Sequence, residues 1–158
     1  MTGKRGMQME RAARMVCLLL IGLTLLFIWS NSMKDATAST NQSGFFKDIF
    51  EQIFDVTQEP FRFLHQNLRK VAHFLEFALL GGEVALYIFF RRQHGWLFYP
   101  LGACFCAAAA AVDEGIQYFV PGRAALWTDV LLDAAGACCG LLLVGLMMAL
   151  CCRIFKKK

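Results

Sequence analysis

Four long apolar stretches divide this chain, and each approaches the length that an α-helix needs to cross a membrane. They cover residues 15–31, 71–90, 96–112 and 127–150, and about twenty predominantly apolar residues span a bilayer. Basic residues precede the first stretch, follow the second and close the last, and such clusters mark the cytoplasmic side. The pattern predicts an all-α fold, a polytopic membrane helix bundle with four transmembrane helices and both termini inside.

A polar segment separates the first two apolar stretches. Residues 32–44 are rich in Ser, Thr and Asn and predict an exposed linker. Residues 45–54 repeat apolar side chains at helical spacing, with charged residues on the other side. We expect this part to be an amphipathic helix on the outer membrane surface. Pro60 fits the first turn of a further helical stretch that leads into the second span.

These elements divide the chain into five parts. A cleaved signal peptide is the alternative for the first helix, because Ala36-Thr37-Ala38 has the small residues of a cleavage site. We favour a retained helix, since this site lies well beyond the end of the apolar stretch. The predicted parts are a basic cytoplasmic N-terminus (1–14), a first transmembrane helix (15–31), an external linker with the amphipathic helix (32–70), a three-helix region (71–150) and a basic cytoplasmic tail (151–158).

Composition agrees with a membrane protein. Of the 158 residues, 58% are hydrophobic and 18% charged, and the mean hydropathy is +0.49, which is too apolar for a soluble domain of this length. The net charge of +4 collects mainly at the termini and after the second span, so it indicates membrane orientation and not nucleic-acid binding. The seven cysteines lie in or beside apolar stretches and are interpreted as packing residues, with palmitoylation of Cys151 or Cys152 as a minor alternative.

Ionisable residues line one face of the second helix. Arg69, His73, Glu76, Leu80 and Glu83 follow spacings of four and three residues, which keeps them on one side of a helix. We expect Glu83, the deepest of them, to be a protonated or hydrogen-bonded packing residue. For His73 and Glu76, the alternative to a functional role is an interhelical hydrogen bond or ion pair that only fixes packing.

The third helix ends in a polar group. Asp113, Glu114 and Gln117 lie within about one turn of each other, so Gln117 is in reach of both carboxylates. Pro121-Gly122 then turns the chain, and we expect Arg123 to face this carboxylate cluster.

The fourth helix carries carboxylates above small residues on one stripe. Asp129 and Asp133 share that stripe with Gly136 and Gly140, and the two glycines would let another backbone approach closely. With alternating spans, the polar ends of the second, third and fourth helices meet near the outer leaflet.

So many ionisable groups near a bilayer need pairing, water or a task, because each is costly in an apolar environment. The mixture of carboxylates with His73 suits proton transfer, and it would equally suit a static salt-bridge network. The sequence has no nucleophile triad, no phosphate-binding glycine loop and no strong metal-binding pattern, so we expect neither a metal nor a cofactor. A divalent cation held by the histidine with Glu and Asp residues is a minor alternative. The candidate catalytic residues are His73, Glu76, Asp113 and Glu114, and the candidate ligand-binding residues are Arg69, Lys70, Gln117, Arg123, Asp129 and Asp133.

These residues fall in blocks that together resemble the VanZ-like family over roughly residues 32–150. The chain departs from that pattern at Ile116, where many members have a histidine directly before the glutamine. Any chemistry of that histidine is therefore absent here. The matching blocks are the run from Arg69 to Phe77, the run from Asp113 to Arg123, and the run from Asp129 to Asp133 with Gly136 and Gly140.

The resemblance implies a multi-helix membrane protein whose founding member is associated with resistance to the lipidated glycopeptide teicoplanin. It implies no settled activity, so an enzyme class does not follow from it. We expect a multi-pass protein of the bacterial cytoplasmic membrane, with an outward-facing polar pocket that binds or acts on a lipid-linked or lipidated envelope molecule. A non-catalytic binding or shielding protein is the second hypothesis, and a small transport or assembly subunit is the third.

Overall fold

The computed structural model describes residues 2–34, 49, 67–91, 98–123 and 125–156. Most of the predicted polar linker over 32–44 and the predicted amphipathic helix over 45–54, apart from the single residue Ile49, lie outside these residues. The stretch that begins at Pro60, and the basic loop beyond Arg91, also lie outside them. These parts of the sequence analysis therefore stay predictions.

Four helices make up the described part of the chain, and it contains no strand. They are α1 (Thr2–Ser32), α2 (Leu68–Phe90), α3 (Phe98–Tyr118) and α4 (Trp127–Lys156). This confirms the predicted all-α bundle. Each helix contains most of one predicted span and extends beyond it at one end or both.

Three of the four helices are long and apolar enough to cross a membrane. These candidate spans are Gly6–Ser32 in α1, Leu68–Phe90 in α2 and Trp127–Ile154 in α4. The α3 helix is not among them, since Asp113, Glu114 and Gln117 in its last turns lower its hydropathy. That α3 also crosses the membrane stays a prediction.

Neighbouring helices of the chain run in opposite directions. Thr24 of α1 meets Glu83 of α2, whereas the later residue Asn31 meets the earlier residue Glu76, so α1 and α2 are antiparallel. The α2 and α3 helices are antiparallel by the same reasoning, because Arg69 bonds Gln117 while Val84 lies beside Gly102. The alternation agrees with a chain that crosses a membrane repeatedly.

The α2 and α4 helices run parallel and form the closest interface of the bundle. A methyl group added to Gly136 would overlap the backbone oxygen of Phe74, and one added to Gly140 would overlap that of Ala78. Gly81 of α2 has the same relation to the backbone of Ala137. The prediction that Gly136 and Gly140 allow another backbone to approach is confirmed, and small residues at such crossings permit close packing in membranes.

The outer surface of the bundle is apolar. Long side chains such as Leu23, Leu101 and Leu146 are more than half exposed. The core contains Phe77, Leu80 and further apolar side chains, most of them from α2 and α3. Exposed apolar surface of this extent is unusual for a soluble monomer. The protein is therefore embedded in a membrane, with α2 as its most enclosed helix.

Candidate functional site

His73 lies at the centre of a cluster of carboxylates in the interior of the bundle. Its Nδ1 atom is 3.9 Å from Asp113 Oδ2 of α3, 4.0 Å from Asp133 Oδ2 of α4 and 4.0 Å from Glu76 Oε2 on its own helix. Asp113 is fully buried and Asp133 is 2% exposed. The cluster therefore joins three helices at a point that solvent scarcely reaches.

A chain of hydrogen bonds connects this cluster to Arg69. Arg69 Nη2 donates to Gln117 Oε1 at 2.9 Å, and Gln117 Nε2 donates to Asp113 Oδ2 at 2.9 Å. The sequence placed Gln117 within reach of Asp113 and Glu114, and the structure selects Asp113. Gln117 thus fixes the orientation of the carboxylate that faces His73.

The first helix supplies polar partners that the sequence analysis did not include. Gln117 Nε2 also donates to Ser32 Oγ at 3.3 Å, and Asn31 Nδ2 donates to Glu76 Oε1 at 3.5 Å. Ser32 is completely buried. The only signal in the sequence was the polar ending of the first apolar stretch, where Ser32 was predicted to begin the exposed linker.

The turn after α3 closes the polar end of the bundle. Gly122 has a φ of 76°, and the amide of Arg123 donates to the carbonyl of Val120 at 3.2 Å, which fits a type II turn with Pro121 and Gly122 at its centre. Arg123 Nη2 then donates to the backbone oxygen of Asn31 at 3.3 Å. Arg123 thereby ties the turn to the end of α1.

Glu114 accepts a hydrogen bond from the start of α4 and does not bond Gln117. Its Oε1 atom accepts from the amide of Leu126 at 2.6 Å, just before α4 begins at Trp127. A carboxylate is favourable at this position because unpaired amides and the helix dipole make a helix N-terminus positive.

Lys70 and Asp129 form an ion pair at the mouth of the site, with Nζ and Oδ1 3.1 Å apart. A small cavity lies between this pair and His73. The space inside it that water can occupy is about 20 Å³, which is enough for a single water molecule or ion. Seven of the predicted site residues line it, namely Arg69, Lys70, His73, Glu114, Gln117, Asp129 and Asp133.

Glu83 lies apart from this site, two turns below Glu76 on the same face of α2. Thr24 of α1 donates to Glu83 Oε1 at 2.9 Å, so the expectation of a hydrogen-bonded residue is confirmed. The remaining predicted site residues lie together at one end of the bundle, and their roles stay predictions.

An all-helical bundle with an apolar exterior, and with a partly buried histidine among buried carboxylates between its helices, defines the class, a polytopic membrane protein with a polar centre. The family model described as VanZ/LLP1 matches residues 16–148, and the chain belongs to this family. The match starts within α1, whereas the resemblance in the sequence began only near residue 32. No curated protein and no solved structure matches the chain significantly.

Proposed function

We propose that the protein acts in a bacterial cytoplasmic membrane, where its polar site faces outward and binds an amphiphilic molecule of the cell envelope. The observation that supports this most directly is a second cavity next to the polar one. It is an apolar groove between α2 and α4 that begins at Phe74, the residue after His73. A polar cavity and an apolar groove that are both lined by α2 and α4 match a ligand with a head group and an acyl chain.

The groove is large enough for an acyl chain. Its volume is about 410 Å³, and from Phe74 to Leu86 it follows α2 for roughly 18 Å at 1.5 Å per residue. This length is close to one leaflet of a hydrocarbon core that is about 30 Å thick. Leu79 and Leu143 on its rim are 59% and 63% exposed, so the groove opens to the surrounding lipid.

The head group binds at the mouth of the polar site and not inside it. The small cavity beside His73 holds only a water molecule or an ion, whereas the Lys70 side chain is 52% exposed and Arg69 is also exposed. Two exposed cations side by side suit a head group that carries a phosphate or a carboxylate. Asp129 holds Lys70 until an anionic head group replaces its carboxylate.

This arrangement accommodates the teicoplanin association that the family resemblance implies, since that glycopeptide carries an acyl chain. Binding is common to the catalytic and the shielding hypotheses. If the site acts on its ligand, His73 and Glu76 are the groups available to transfer a proton to a head group at the mouth. If it only shields the ligand, the bound molecule is released unchanged.

Binding of fluorescently labelled teicoplanin to the purified chain in nanodiscs tests the proposal. Trp in place of Leu143 fills the groove and should weaken binding about tenfold or more, because it displaces the acyl chain from its apolar contacts. Lys70→Ala should weaken binding as well, since it removes an exposed cation at the mouth.

Leu142→Trp is the matched control, because Leu142 is also 63% exposed but does not line the groove. Equal affinity of the Leu142→Trp and Leu143→Trp variants would show that the groove holds no acyl chain. Mass spectrometry of the recovered ligand distinguishes the hypotheses, since a product indicates catalysis and unchanged ligand indicates shielding.

A further inference from the structure

Three potential metal ligands from three helices converge inside the bundle. One ligand atom each from His73 on α2, Asp113 on α3 and Asp133 on α4 lie within 4.8 Å of one another. The sequence analysis favoured no metal because these residues are far apart along the chain and have no metal-binding spacing. Their proximity is a result of the helix packing.

Buried polar atoms in this cluster lack hydrogen-bond partners. They include His73 Nδ1 and one carboxylate oxygen each of Asp113 and Asp133. Asp133 is the clearest case, since it is 2% exposed, its Oδ1 has no partner, and its Oδ2 faces His73 Nδ1 at 4.0 Å. An unpartnered carboxylate in an apolar interior is costly, and buried charges are normally paired or bound to a metal.

The two cations that line the adjoining cavity bond groups other than Asp133. Lys70 pairs with Asp129, and Arg69 reaches Asp113 only through the amide of Gln117. A positive species placed directly between the two aspartates would satisfy both carboxylates and the imidazole nitrogen together.

The distances suit a small cation. His73 Nδ1 lies 3.9 Å from Asp113 Oδ2 and 4.0 Å from Asp133 Oδ2. Nitrogen and oxygen ligands that lie about 2.0–2.2 Å from one cation are about 3.3–3.8 Å apart at tetrahedral to trigonal angles, so binding would draw these atoms together by a few tenths of an ångström. The adjoining cavity has room for a water ligand, and Glu76 Oε2, 4.0 Å from the same nitrogen, is a further oxygen without a partner.

We propose that His73, Asp113 and Asp133 bind one divalent transition-metal cation of the Zn²⁺ or Mn²⁺ type. Imidazole together with carboxylates favours such metals over Ca²⁺ and Mg²⁺, which prefer oxygen ligands alone. Gln117 orients Asp113 by its hydrogen bond, as outer partners of metal ligands commonly do. The proposal uses the same residues as the proposed function, but it concerns the ion at the base of the site and not the amphiphile at its mouth.

To test the site, the full chain in nanodiscs is first freed of metal with EDTA and is then titrated with Co²⁺. Co²⁺ serves as a spectroscopic probe because its visible absorption reports nitrogen and oxygen coordination, and Zn²⁺ is then added in competition. We expect one Co²⁺ per chain, displaced by one Zn²⁺. Asp133→Asn and His73→Gln should each weaken binding more than tenfold, since each removes a direct ligand.

Glu83→Gln is the control, because Glu83 is also a buried carboxylate on α2 but lies outside the cluster. Circular dichroism establishes that each variant is folded, and a Zn²⁺-dependent rise in the melting temperature of the unchanged chain gives a second measure that needs no variant. Absence of stoichiometric binding to the unchanged chain overturns the proposal. Equal affinity in all variants, or tight binding of only Ca²⁺ or Mg²⁺, also overturns it.

The same preparations separate this proposal from the proposed function. If labelled teicoplanin binds while Co²⁺ does not, the cation site is rejected and the amphiphile site stands. If Co²⁺ binds at His73 while teicoplanin does not, the reverse holds.

Discussion

Gln117 connects three helices at the polar end of the bundle. Its side-chain oxygen accepts from Arg69 of α2, and its side-chain nitrogen donates to Ser32 of α1 and to Asp113 on its own helix. The residue is 4% exposed. An amide provides an oxygen that accepts from the guanidinium and two N–H donors, whereas a hydroxyl has only one donor.

Replacing Gln117 with Leu should therefore destabilise the protein. The change keeps the approximate volume but leaves Asp113 and Arg69 without these partners, and we expect a loss of about 2 kcal/mol, near the upper end for hydrogen bonds within membranes. Thermal unfolding in detergent measures it. Tyr118→Phe on the next, exposed position is the control, and equal melting temperatures for the two variants would contradict the role of Gln117.

The parallel packing of α2 against α4 positions the site. Contacts of Gly136 with Phe74 and of Gly140 with Ala78 hold the two helices in register. The same register brings Asp133 opposite His73, and it leaves the groove beside Ala78 and Leu143. The packing of small residues thus determines both the polar cluster and the apolar groove.

Gly140→Ala should separate these helices, because the added methyl group would overlap the backbone oxygen of Ala78, which cannot rotate away. Overpacking of this kind costs about 1–3 kcal/mol, and we expect a lower melting temperature in detergent. Gly22→Ala in α1 is the matched control, since nothing lies within 4 Å of the added atom. If both variants had the same melting temperature, the close approach of α2 and α4 would not be required for stability.

At the scale of the whole molecule, hydrophobic runs and helical spacing were enough to predict the elements. They placed Arg69, His73 and Glu76 on one face of a helix, because apolar length and a period of 3.6 residues are local properties. In the structure this face points into the bundle. The partners of these residues were not predictable. Asn31 ended the predicted first span and Ser32 began the predicted exposed linker. The meeting of His73 with Asp133 depends on two helices packing in parallel, which spacing within either helix does not encode.

Helix α1 belongs to this assembly as much as the three-helix region does. Asn31, Ser32 and Thr24 each bond a polar side chain of another helix, and the family match begins at residue 16. That this helix is retained and not cleaved as a signal peptide stays a prediction.

The proposed function requires the polar end of the bundle to face outward, and thiol labelling in intact cells tests this orientation. Phe119 is 84% exposed in the turn above the site, so Phe119→Cys presents an accessible thiol. Cys151 and Cys152 are exposed near the opposite end of α4 and serve as internal references.

We expect a membrane-impermeant maleimide to label the Phe119→Cys thiol in intact cells, and to label Cys151 and Cys152 only after the membrane is permeabilised. The opposite result, with Cys151 and Cys152 labelled in intact cells and position 119 protected until permeabilisation, would place the site inside and contradict the account.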